Sequence, residues 1–202
     1  MTIFRSRRTL IAIAAAATVL VAGAMFSHVR RDREWAHGGD QVTFDAEVAI
    51  TTAEDFDREV VRLGAPPGEA TRWEAAEQTV VARVRWSGLP ESINSLQVIA
   101  LDKRVSPPKP LIPDGGWNSA GGTGSGWEGA YEPLAEHYDW LRRVAGPDAI
   151  AAVDAPGAGS GTVTAWFRQQ ADATRAGRDD IVLAVFSVDD DGEVRWARRI
   201  FG

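Results

Sequence analysis

Three stretches of this chain alternate apolar and polar side chains with a period of two, and that rhythm admits only the β-strand. Val42, Phe44, Ala46, Val48 and Ile50 alternate with Thr43, Asp45, Glu47 and Ala49. Val80, Ala82, Val84 and Trp86 oppose Val81, Arg83 and Arg85. Val163, Ala165 and Phe167 oppose Thr162, Thr164 and Trp166. Successive side chains of a strand point to opposite faces, so each stretch buries one face and wets the other. Two further runs, Leu96–Leu101 and Ile181–Val188, are apolar almost throughout, as expected of strands buried on both faces. Asp189-Asp190-Asp191-Gly192 is turn chemistry, and Val194, Trp196 and Ile200 share a face beyond it. The sequence therefore predicts a hairpin over 181–200.

Helices are few. Thr51 and Glu54 can form a capping box ahead of Phe56, Val60 and Leu63, which share one helical face, and Gly64 with Pro66-Pro67 stops the helix. Tyr131–Ala145 carries the stripe Leu134, Tyr138, Leu141 and Ala145, and Asp148–Val153 adds a brief helical turn. Ser106–Pro113, with four prolines, reads as extended and poorly pairing, and 115–129, with seven of the twenty glycines, reads as a loop. Six strands with little helix predict a mainly β fold, an antiparallel β-sandwich with one or two short helices; an α+β sheet covered by the helices is the alternative. The strand order resembles an immunoglobulin-like pattern carrying a Trp-bearing loop and a helix between its middle strands. The cysteine pair and tyrosine corner of that family are missing.

The N-terminal part is of another kind. Thr9 to Ser27 is nineteen residues without a charge, preceded by Arg5, Arg7 and Arg8. As a helix it reaches roughly 28 Å, about the thickness of a bilayer core. The expected organisation is a basic cytoplasmic tail at 1–8, a transmembrane helix or signal segment at 9–27, a juxtamembrane linker at 28–41 and an extracytoplasmic β-rich domain at 42–202. Arg30, Arg31 and Arg33 balance the first three arginines, and the amino terminus tips the orientation toward an inside N-terminus. The alternative is secretion after cleavage near Ala24, because Ala22-Gly23-Ala24 has the small-x-small form of a cleavage site. Arginine outnumbers lysine twenty to two, the bias of a GC-rich, bacterial coding sequence.

Charge divides at the same place. Residues 1–33 carry a net +5 and residues 34–202 a net −11. An acidic domain repels polyphosphate backbones, which argues against a nucleic-acid partner. There are no cysteines, hence no disulfide, thiolate metal site or cysteine nucleophile.

No catalytic motif emerges. Gly121–Gly126 lacks the Gly-Lys-Ser/Thr ending of a phosphate loop. Ser125 and Ser160 lack the Gly-x-Ser-x-Gly frame, and His137 sits on the second helix without a recognisable triad. The aspartates 189–191 lack the glutamate of an EF-hand loop, and Glu132, Glu136 and Asp139 fit a solvated helix face better than a metal site. No cofactor is expected. The candidate ligand-binding residues are Trp117 and Trp127, with neighbouring Tyr131, because glycine lets a backbone approach a ligand and an indole offers a flat face to a sugar or cation. The rival role for the tryptophans is to pin the loop onto the core. Function is expected to be non-enzymatic binding or structural assembly in the bacterial envelope, with an envelope protein or glycan as partner. The alternative is an exported hydrolase acting on envelope glycan or peptide.

Overall fold

The computed structural model of the chain describes residues 33, 37–70, 78–104, 108–119, 122–123, 127–130, 138, 140, 149–157, 159–169, 175–191 and 194–202. It divides into two compact units, Met1–Gly38 and Gly39–Gly202. In the first, only Arg33, His37 and Gly38 are described, and the apolar run 9–27 lies outside the described residues. Among the described residues no helix is long and apolar enough to cross a membrane.

The second unit is mainly β. Its strands are β1 (Thr43–Thr51), β2 (Thr79–Leu89), β3 (Ile93–Asp102), β4 (Lys109–Pro110), β5 (Ile112–Asn118), β6 (Gly122–Thr123), β7 (Trp127–Ala130), β8 (Ala149–Pro156), β9 (Gly159–Arg168), β10 (Ile181–Asp189) and β11 (Val194–Phe201). One short helix, α1 (Phe56–Arg62), follows β1, and a 3₁₀ turn (Arg178–Asp180) precedes β10. Two antiparallel sheets result. The first runs β1-β2-β9-β5-β6. The second runs β11-β10-β3-β8-β7, with β4 also paired to β3.

The alternation read in the sequence sets the layers. Ala46, Val48, Val80, Ala82, Val84, Trp86, Val163, Ala165 and Phe167 point inward from the first sheet. Leu96, Val98, Ala100, Val153, Ala155, Ile181, Leu183, Val185 and Trp196 meet them from the second in one hydrophobic cluster, so the two sheets make a sandwich-like pair. Val185 lies opposite Val98 on one side and Arg198 on the other, so β10 is an interior strand of its sheet, buried throughout. The expected 181–200 hairpin is the β10–β11 pair, with register shifts at Leu183/Ala184 and Ser187/Val188.

Four expectations are corrected. Residues 148–153 do not form a helical turn: Ala149–Pro156 is β8, paired with β3 and β7. The glycine-rich stretch is not a loop throughout. Its first part is β5, β6 hairpins onto β5, and β7 joins the other sheet, so the chain crosses from sheet to sheet here. The proline-rich stretch pairs too, with Lys109 opposite Asp102 and Ile112 opposite Arg168. The first helix, expected behind a capping box at Thr51 and Glu54, forms only from Phe56, with Asp55 at its cap position. The second helix, expected over 131–145, lies largely outside the described residues.

The start of the unit is fastened to its last strand. Arg198 Nη1 donates to the carbonyls of Gly39 (2.7 Å) and Val42 (3.0 Å), and its guanidinium lies 5.8 Å from the Phe44 ring centre. Phe44 meets Trp196 edge-on at 6.3 Å. A Cβ on Gly39 would stand 3.0 Å from the Trp196 ring, so glycine fits where the chain enters the domain.

Candidate functional site

Trp117 places the site on the outer face of the first sheet. Its strand can lie there because of two glycines. A register shift between Pro113 and Gly115 reorients β5, and Gly115 takes φ +149°. A Cβ on Gly115 would meet the Trp166 indole at 2.7 Å, and one on Gly116 would meet Val153 Cγ1 of the opposite sheet at 2.4 Å. β5 is thus wedged between an indole outside and a core valine inside, and no side chain fits at either position.

Register then arranges the outer face in rows. Asp45 and Arg85 lie opposite each other at one end. Next come Glu47, Arg83, Thr164 and Trp117, then Ala49, Val81, Trp166 and Gly115. Helix α1 covers the apolar row: Phe56, Val60, Leu63, Val81 and Trp166 form a second buried cluster, against which Trp117 packs half-buried. Phe56 meets Trp166 edge-on at 5.9 Å. The Thr164 hydroxyl donates to the Leu63 carbonyl at 2.9 Å, which satisfies a carbonyl at the helix end.

The charged row borders this cluster. Glu47 Oε1 accepts from Arg62 at 2.6 Å and its Oε2 from Arg83 at 2.5 Å, while Arg62 Nε also donates to Glu59 at 2.7 Å. The hydrogen bond from Arg62, helped by the charge of Arg83, holds the Glu47 carboxyl below its ordinary range. Glu47 also raises the Arg62 guanidinium. These charges answer one another, and the row pins the helix to the sheet.

The second sheet holds a different polar group on its outer face. Asp154 of β8 lies opposite Gln97 of β3 and accepts a hydrogen bond from Ser95. Burial pushes its carboxyl above the ordinary range. The Gln97 side-chain oxygen is buried with no hydrogen-bond partner among the described residues. Tyr138 Oη accepts from the Ala197 amide of β11 at 3.0 Å, and burial raises its phenol.

The predicted site residues are therefore only partly located. Trp117 is on the first sheet, with its indole on the α1 cluster. The backbone of Trp127 is on β7 in the second sheet, opposite Ala152. Tyr131 lies outside the described residues, as do Ser125, Glu132, Glu136, His137 and Asp139. Ser160 is exposed on β9. Asp189 pairs with Arg195 and accepts the Asp191 amide at 3.0 Å, the geometry of a closed turn. Among the described residues no three potential metal ligands come together. The sequence reading missed the partnership of Trp166 with Phe56 and the half-buried Asp154. The first was signalled by Trp166 standing on the face opposite Val163 and Phe167. A lone aspartate among alanines gave no sign of the second.

No protein-family model and no curated protein sequence matches the chain. Among solved structures it is similar to Cep-1 of C. elegans, the ortholog of human p53 solved for its DNA-binding domain. The identity is 13% over 79% of this chain and 88% of that one, with a TM-score of 0.28. It is also similar to the β-glucosidase D2-BGL from Chaetomella raphigera, at 14% identity over 79% of this chain and 18% of that one, with a TM-score of 0.20. At these scores neither likeness bears on fold or function.

Proposed function

We propose that the chain is a single-pass membrane protein that presents one β domain on the extracytoplasmic side of a bacterial envelope, in a non-enzymatic binding or structural role. The observation that carries this reading is the charge-free run Thr9–Ser27 behind three arginines, followed by an acidic β domain. The segment bearing Trp117 and Trp127, which joins the two sheets, is its proposed contact surface. The domain itself is read as immunoglobulin-like. The neighbours β1-β2-β9-β5 follow the order A-B-E-D, and β11-β10-β3 follow G-F-C, with β6 to β8 inserted before the fifth strand. The described acidic groups support binding over hydrolysis. Glu47, Asp102 and Asp189 are each paired with an arginine.

Fractionation with added protease tests the placement. The full chain is expected in the membrane fraction, with residues beyond the run digested only from outside the cell. Intact chain in the soluble cytosol would overturn it. The mass of the mature N-terminus separates anchor from secreted form: a chain starting at Met25 would show that the anchor is removed. For the contact surface, Trp117→Ala and Trp127→Ala are combined, and recovered partners are compared with thermal stability. Lower stability with unchanged partners would remove that assignment.

A further inference from the structure

The domain is acidic, yet one end of it is basic. Lysine occurs twice in the chain, at 103 and 109, and both residues lie there. Lys109 on β4 stands opposite Asp102, the last residue of β3, and Lys103 follows directly. Asp102 is also opposite Ile181, the first residue of β10, and the Lys103 amide donates to the Asp180 carbonyl at 2.9 Å. The end of β11 completes the row. Arg178 lies 5.3 Å over the Phe201 ring, and Arg199 donates to the Gly202 carbonyl at 2.5 Å. Cations thus gather where β4, β3, β10 and β11 end side by side, with Arg199 opposite Ala184, three residues into β10; four strands span about 15 Å at ordinary strand spacing.

Two of the acids at this end are held by local contacts. Asp102 is buried and accepts from Arg104 through both oxygens, a contact that holds its carboxyl low. Asp180 accepts the Gly177 amide at 2.8 Å and lies 3.9 Å from Arg104. Asp179 is exposed. Lys103, Arg178 and Arg199 are exposed, while the charge of Lys109 also reaches Asp102 and that of Arg178 reaches Glu47. With residues 34–202 at −11, a positive end steers an anionic partner onto this one place and repels it elsewhere.

We propose that this end docks an extended anionic glycan along the row Lys109, Lys103, Arg178 and Arg199. A polyuronate carries one carboxylate per ring, a repeat close to the distance between neighbouring strands. A lipid surface fits less well, because the exposed large hydrophobic among the described residues is Val61, on α1, and no wedge accompanies the cations. Single-stranded nucleic acid wants open aromatic faces, and Arg178 covers Phe201. The choice of glycan over nucleic acid rests on the extracytoplasmic placement proposed above; the presence of a polyanion site does not.

The test uses the full chain in neutral phosphatidylcholine nanodiscs and an immobilised polygalacturonate oligomer of defined length. Binding is expected at low salt, with affinity falling as salt rises. The variant K103Q/K109Q/R199Q is expected to bind at least tenfold more weakly with a shallower salt dependence and an unchanged melting temperature. R58Q/R85Q, with cations removed elsewhere, is expected to bind like the parent. No binding at low salt, or equal loss in both variants, would overturn the site. Phosphatidylglycerol vesicles or a polynucleotide competing better, charge for charge, than soluble polygalacturonate would overturn the glycan assignment. None of these readouts depends on where the chain resides in the cell, so failure here is distinct from failure of the fractionation.

Discussion

The outer faces of the two sheets bury their side chains by different means. On the first sheet a seven-residue helix lies across one apolar row, and charged residues flank it. On the second, Ile99, Leu101, Val182, Ala184 and Phe186 continue the apolar character of the inner face, and all are buried. A carboxylate behaves oppositely on the two. Glu47, bound by Arg62 and Arg83, is held low, whereas Asp154, withdrawn from water, is pushed high. Burial without a cation penalises charge, and a cation at hydrogen-bond distance rewards it.

If both outer faces are true core, truncating either should cost alike. Trp166→Ala on the first sheet and Phe186→Ala on the second are each expected to lose about 3–5 kcal/mol in urea denaturation. A loss under about 1 kcal/mol for Phe186→Ala would show that the second face is only shielded, and the comparison would break. Next in size is Gly116→Val, which forces a side chain against Val153 between the sheets. A loss of about 1–3 kcal/mol is expected, read as a lower denaturation midpoint.

The carboxylates give smaller effects of opposite sign. The raised Asp154 carboxyl costs nothing below the unfolded-state pKa. Stability is lost as pH rises from there through the folded value. Asp154→Asn keeps an acceptor for Ser95 without the charge, so it should stabilise at neutral pH and lose that advantage in acid; the carboxyl is only half-buried, so the effect should stay under about 1 kcal/mol. The lowered Glu47 contributes above its unfolded-state pKa, and its contribution disappears as pH falls through the folded value. Glu47→Gln should therefore destabilise at neutral pH and become neutral in acid. Its row is partly exposed, so the effect should stay under about 1 kcal/mol. Thermal melts of both variants across the acid range check the two signs. The same sign in both would mean that the faces do not differ as described.

These contrasts explain what was legible in the chain. β1, β2 and β9 declared themselves because one face meets the core and the other carries polar groups. Their alternation assigns Trp86 inward and Trp166 to the opposite face, and that of the last strand assigns Trp196 inward. β3 and β10 were recognisable as unbroken apolar runs, the mark of strands buried on both sides. The errors fell where local preference and tertiary demand disagree. Ala149–Pro156 is alanine-rich and inclines to helix, yet β3 and β7 offer it backbone partners on both sides. Gly115 and Gly116 looked like a loop because glycine usually marks one. Here they are strand residues whose missing side chains make room for Trp166 and Val153.

The candidate site was less readable than the fold. Trp117 was singled out as a ligand-binding candidate, and its indole rests half-buried on the α1 cluster. The basic end could not be seen at all in one dimension. Lys103 and Arg199 are almost a hundred positions apart, and only the order β4-β3-β10-β11 brings them to one edge.

By itself the sequence determined β1, β2 and β9 with the side of each that turns inward, and β3, β10 and β11 as strands, because hydrophobic periodicity is a local property of the chain. It also determined that the N-terminal run differs in kind from everything after Val42. The tertiary structure decided which strands are neighbours, which glycines must stay bare and which charges are answered. Those depend on distances between residues far apart in the chain, and no window of sequence contains such distances.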